Sequence, residues 1–150
     1  MNGFEIEIAK VKSEFGSEIL RIDRIILGRK SDYNRRIVKI MAEYNEKRNS
    51  LDAQHLDLKL KLNAMSDMKG RLALMNLMAE NERNQRYYEE NYRIRMKQEK
   101  DELYASVEEL TINRRQLVQF KDVRLAEIQG RYLEWIESRK TEKTCGNEEV

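Results

Sequence analysis

The residues able to do chemistry are few and far apart along the chain. His55 is the only histidine and Cys145 the only cysteine. A zinc or copper site gathers several His, Cys or carboxylate ligands at short spacing, and His55 has neither a second imidazole nor a thiolate nearby. It also lacks a serine, cysteine or lysine at a fixed distance with a third group to orient the pair, as nucleophilic catalysis requires. A surface side chain is expected. The six glycines stand singly, so no loop cradles a phosphate. Glu89 with Glu90, and Glu108 with Glu109, are paired acids, but neighbours on a helix point about 100° apart. Each pair reads as a solvated face. Arg35 with Arg36, Arg114 with Arg115, and Tyr87, Tyr88 and Tyr92 near Arg86 and Arg93 have the composition of phosphate and base contacts. Acidic residues interleaved with them and a net charge of +2 argue against a nucleic-acid footprint. The chain is therefore expected not to be an enzyme, and to use no cofactor, no metal and no nucleic acid.

What remains is the scaffold. Charged residues make up 37% of the 150 and proline is absent. Without proline, and with so few glycines, little would stop a long helix. From Tyr33 to Met65 apolar residues return at Tyr33, Ile37, Ile40, Tyr44, Leu51, Leu58 and Met65, which stacks one side of a helix into a stripe. A stripe this narrow, flanked by Lys, Arg, Asp and Glu, suits another helix better than a globular core. Lys47, Gln54 and Lys61 fall on the same seam and would weaken it while fixing its register.

Upstream, Phe4, Ile8, Val11, Phe15, Ile19, Ile22 and Ile26 form a helical stripe. Gly16 and Gly28 each cost it about 1 kcal/mol relative to alanine. The run after Gly28 could kink, with Ser31 capping a restart. Leu56, Leu58, Leu60 and Leu62 alternate with polar residues. On a helix they fan around the circumference and offer surface to a second partner.

Ser66, Asp67, Met68, Lys69 and Gly70 form a turn-and-cap cluster near the middle of the chain. Flanking stretches of similar length favour an antiparallel hairpin. An unbroken rod competes with it, since a heptad phase continues through Leu72, Met75 and Ala79. Met65, Met68, Met75 and Met78 gather around the turn, as core filler or as an adaptable patch. Residues 80–102 place Glu82, Arg86, Glu89, Arg93 and Lys100 on that seam, and Tyr88, Tyr92 and Met96 share a face. Leu103, Val107, Leu110 and Leu117 restore the heptad, and Leu125, Ile128, Tyr132 and Trp135 carry it onward in a shifted phase.

The expected fold is all-α, a long antiparallel two-helix coiled-coil hairpin in one domain over residues 1–140. Arm one covers about 4–65, the turn about 66–70 and arm two about 71–139, with a disordered tail at 141–150. No run approaches the ~18 apolar residues of a membrane span and no signal peptide is visible. With a single cysteine as well, a cytoplasmic location without membrane insertion is expected.

The run Gly130, Arg131, Tyr132, Leu133, Glu134, Trp135, Ile136, Glu137, Ser138, Arg139, Lys140 resembles the end of the second helix in SpaM/InvI-type proteins of type III secretion systems. Tyr132, Trp135 and Ile136 keep the family's spacing, and Arg114, Arg115 and Leu117 fall where it has a basic and apolar heptad. That family is the virulence counterpart of the flagellar FliJ and the YscO stalk proteins. The resemblance implies an antiparallel coiled-coil stalk that enters the pore of a hexameric secretion ATPase and contacts the export gate and secretion chaperones. A structural scaffold of a cytoskeletal or chromosome-segregation assembly is the other reading. Partner-binding candidates are Tyr132, Leu133, Trp135 and Ile136 near the end of arm two, Tyr88 and Tyr92 in its middle, and Met75 and Met78 beside the turn.

Overall fold

The computed structural model describes residues 2–148, with side chains described for residues 2–143. Among these, two helices, α1 (Gly3–Ala64) and α2 (Met68–Glu148), pack against each other as an antiparallel hairpin without any strand. α1 keeps the length expected of arm one, and α2 is longer than expected. α1 passes Gly28 and Ser31 without a break. One glycine costs a helix about 1 kcal/mol, too little to interrupt one whose flanks are packed. α2 continues past Arg139, the expected end, to Glu148. No proline stands there, and Thr141 returns its Oγ1 hydrogen bond to the carbonyl of Glu137 at 3.0 Å, which a helix accommodates. Of the expected tail, Glu149, Val150 and the side chain of Cys145 lie outside the described residues.

The chain divides into two compact units, one of Met1–Gly28 with Ser106–Val150 and one of Arg29–Ala105. In the first, Asn2 caps α1 by accepting the Glu5 backbone N–H on Oδ1 at 2.8 Å. Its packed stripe is the expected one, from Phe4 to Ile26, with Val11 and Ile22 buried. Facing it on α2 are Val107, Leu110, Leu117, Leu125, Ile128 and Tyr132, buried or half-buried. Ile128 is fully enclosed, a burial worth about 1.5–3 kcal/mol. Arg114 reaches across to Asp23 at 2.7 Å and Arg131 to Glu7 at 3.0 Å.

The second unit contains the turn. α1 ends at Ala64 and α2 starts at Met68, so only Met65–Asp67 lie outside a helix. Asp67 is the cap of α2, its Oδ2 accepting the Gly70 N–H at 3.1 Å. Arg71 then reaches back, and its guanidinium donates to the carbonyls of Leu62 at 3.0 Å and Met65 at 2.9 Å. A cation at a helix C-terminus meets both the open carbonyls and the negative end of the dipole.

The α1 seam here is Tyr33, Ile37, Ile40, Tyr44, Leu51, His55, Leu58 and Leu62. Ile40, Leu51 and Leu62 recur every eleven residues, as do Tyr33, Tyr44 and His55. Eleven residues in three turns is about 3.67 per turn, and it holds a stripe in place without the left-handed winding of a strict heptad. The heptad expectation therefore holds at Leu51 and Leu58 and fails at Lys47, Gln54 and Lys61, all exposed. His55, expected at the surface, lies half-buried on the seam, whereas Lys61 is exposed and Met65 has left the helix. Of the leucine fan, Leu58 is buried and Leu62 half-buried, and Leu56 and Leu60 face outward.

The α2 seam departs further from expectation. Leu72, Met75 and Ala79, and Glu82, Arg86, Glu89, Arg93 and Lys100 after them, are all exposed. The inward residues are Leu74, Met78, Asn81, Gln85, Tyr88, Tyr92, Met96 and Leu103. Apolarity alone selects the wrong stripe, because two of the true seam positions carry amides.

Candidate functional site

No single concave site gathers the candidate residues; they form surfaces within each unit. In the first unit the resemblance-bearing run meets the start of α1. The Phe4 ring lies 5.2 Å from Tyr132 and 5.9 Å from Trp135, and Tyr132 and Trp135 stack 6.1 Å apart. Over the Trp135 ring lies the Arg139 guanidinium, 4.4 Å from its centroid, a cation–π contact of about 0.5–1 kcal/mol at an exposed site. Trp135 stays 40% exposed and Leu133 60%. Ile136 is half-buried. Tyr132, Trp135 and Phe4 thus form one aromatic cluster bordered by the Glu7–Arg131 pair. Leu133 projects to solvent beside it.

In the second unit Tyr92 stacks on Tyr44 at 4.2 Å with 15° between the rings, and Lys47 sits 4.9 Å from the Tyr88 ring. Glu43 pairs with Arg95 at 3.2 Å and Arg36 with Glu99 at 2.8 Å. The hydrogen bond to Glu99 raises the Arg36 pKa above its ordinary value, keeping that charge fixed. An open groove runs between Tyr44, Lys47, Tyr88 and Tyr92. Met78 packs into the seam and Met75 stands 52% exposed outside it. The structure therefore separates these two methionines, and neither joins the tyrosines.

Asn81, not singled out from the sequence, and His55, expected from it at the surface, both lie on the second unit's interior seam. Asn81 is 2% exposed, the one buried polar side chain among the described residues. Its Nδ2 donates to the Leu51 carbonyl and to Gln54 Oε1, both at 3.1 Å, and its Oδ1 accepts from Gln85 at 2.7 Å. The eleven-residue repeat back from Leu103 through Tyr92 would have found it. His55 Nδ1 is buried without a hydrogen-bond partner.

No group of three or more His, Cys, Asp or Glu side chains that could hold a metal occurs among the described residues. Among the described residues, no helix is long and apolar enough to cross a membrane. The arrangement is an all-α helical hairpin, and the candidate residues lie on its helix faces and in its aromatic clusters. No protein-family model matches the chain, and no curated protein or solved structure matches it either.

Proposed function

We propose that the chain is a non-catalytic coiled-coil stalk of a type III protein secretion system, engaging the hexameric secretion ATPase and the export gate in the cytoplasm. The observation that carries this reading is the meeting of Tyr132 and Trp135, from the run resembling the SpaM/InvI-type proteins, with Phe4 of the opposite helix. The two helix ends thereby present one apolar cluster rimmed by Glu7, Arg131 and Arg139. Such a surface suits a ring interior, where the rim charges orient the contact and the exposed Trp135 and Leu133 supply its apolar area. Secretion chaperones are the further partners of this reading. A scaffold that dimerises as a parallel rod would need one helix through residues 65–67, where α1 has ended and α2 has not begun.

The test is stimulation of a purified secretion ATPase by this chain. Leu133→Ala removes an exposed side chain and leaves the hairpin seam intact, so it lowers stimulation at unchanged helix content. Trp135→Ala lowers stimulation further. Full stimulation by both variants would remove this end from the contact.

A further inference from the structure

Met65 is the first of the three residues between the helices, and it is held at three points. Its N–H donates to the Leu62 carbonyl at 3.3 Å, and its own carbonyl accepts from the Arg71 guanidinium at 2.9 Å. Its thioether lies over Gly70, so closely that a Cβ there would stand 2.8 Å from Sδ and 3.1 Å from both Cγ and Cε. These near-equal distances mean that a whole face of the C–S–C group is pressed on the bare glycine. An edgewise approach would leave both carbons much farther off than the sulfur. Met65 is nonetheless 36% exposed. We propose that Met65 is an oxidation site that governs the turn: hydrogen peroxide converts its thioether to the sulfoxide, which gives up the Gly70 contact and loosens the start of α2.

The chemistry is a two-electron oxygen transfer. An S–O bond forms at Sδ as the peroxide O–O bond breaks, the sulfur is oxidised, and the second peroxide oxygen leaves as water. A flat, apolar group thereby becomes a pyramidal, strongly polar one. On the face toward Gly70 there is no room for the added oxygen, since even a methyl carbon would not fit there. On the outer face the oxygen takes hydrogen bonds from water, and these draw the side chain away from a contact that favours an apolar group. Either sulfoxide epimer weakens the same contact. Met68 and Met75, 70% and 52% exposed, project to solvent, so their sulfoxides leave the turn as it is. A thiol-dependent methionine sulfoxide reductase reverses the step, removing the oxygen as water while two thiols become a disulfide. This inference does not depend on the secretion reading.

Hydrogen exchange of the full chain before and after peroxide treatment tests it, with the conversion of each methionine followed by mass spectrometry. The amides of Gly70 and Arg71 report the turn, since they donate to Asp67 Oδ2 at 3.1 Å and to the Asp67 carbonyl at 2.9 Å. Once Met65 is converted they exchange about tenfold faster, while amides of the first unit keep their rates. Reductase treatment returns the starting rates. Met65→Leu shows no acceleration, although Met68 and Met75 are converted as in the wild type. Gly70→Ala, whose methyl has already displaced the thioether, responds to peroxide far less than the wild type does. Unchanged exchange at Gly70 and Arg71 with Met65 fully converted overturns the proposal. So does a Met65 that resists peroxide while Met68 and Met75 are converted, or an acceleration that extends equally to the first unit. An acceleration that persists in Met65→Leu, or is as large in Gly70→Ala as in the wild type, overturns it as well.

Discussion

The side-chain amide of Asn81 on α2 donates a hydrogen bond to the main-chain carbonyl of Leu51 on α1, 3.1 Å away and out of contact with solvent. A buried amide of this kind is less favourable than leucine at the same seam position, and it ties one register to one partner. Asn81→Leu is therefore expected to hold or raise the thermal midpoint while admitting slipped pairings, visible as extra amide peaks for residues 45–60. Asn81→Ala, which leaves a gap and strips Gln54 and Gln85 of their partner, lowers stability by about 1–3 kcal/mol in urea.

His55 should respond in the opposite sense. Its Nδ1 is enclosed and unpaired on a seam between Leu51 and Leu58. His55→Leu removes the unsatisfied atom and continues the apolar stripe, so unfolding shifts to higher urea by about 1–2 kcal/mol. A midpoint that falls would show that the imidazole has a partner worth more than the leucine contact.

The glycines inside the helices differ in what surrounds them. A Cβ added at Gly16, Gly28 or Gly130 meets no atom within 4 Å. Alanine at each should stabilise by about 0.5–1 kcal/mol, additively over the three sites. At Gly70 the same Cβ would come within 2.8 Å of Met65 Sδ. Gly70→Ala gains the helix propensity only by displacing the Met65 side chain, so its benefit falls short of the other three. Thermal melts of the four single variants and the triple variant measure this ranking.

Acid should act on the Glu18–Arg21 pair of α1. The hydrogen bond from Arg21, at 2.5 Å, holds the Glu18 carboxyl below the usual carboxylate range and raises the guanidinium in turn. A carboxyl whose folded pKa is depressed contributes stability that is complete above its unfolded pKa and lost as pH falls through the folded one. Arg36, raised by Glu99, carries the opposite sign: its contribution is complete below the ordinary guanidinium pKa and disappears only as pH rises through the raised value. Carboxyl titration by NMR should show Glu18 moving upward in Arg21→Ala, and the variant should lose less stability than the wild type on acidification.

The turn and the first unit were legible because their signals are local and strong. Asp67 with Gly70 spells a cap, and large apolar residues from Phe4 to Ile26 leave one choice of face. The second unit was harder to read. Its α2 seam contains Asn81 and Gln85, whereas Met68, Leu72 and Met75 just outside it are more apolar, so hydrophobicity ranks the two stripes in the wrong order. His55 was misplaced by the same cause, since a strict heptad after Leu51 selects Gln54 and Lys61 whereas the eleven-residue repeat selects His55 and Leu62. The aromatic cluster at Phe4, Tyr132 and Trp135 followed from the hairpin itself, because antiparallel helices bring the chain's two ends together.

Arg71 gives the chain an order of assembly. Its bonds to the Leu62 and Met65 carbonyls span nine and six residues of sequence, and a loop of about ten residues closes in roughly 10–100 ns. Each further seam pair, Leu51 with Asn81 and then Tyr44 with Tyr92, forms between helices already brought together by the pair before it, and since loop-closure cost grows only with the logarithm of length the added entropy is small. Folding can thus run like a zip from the turn outward, and a force applied at the two chain ends would open the same zip in reverse, one pair at a time, with the Arg71 clasp the last to part.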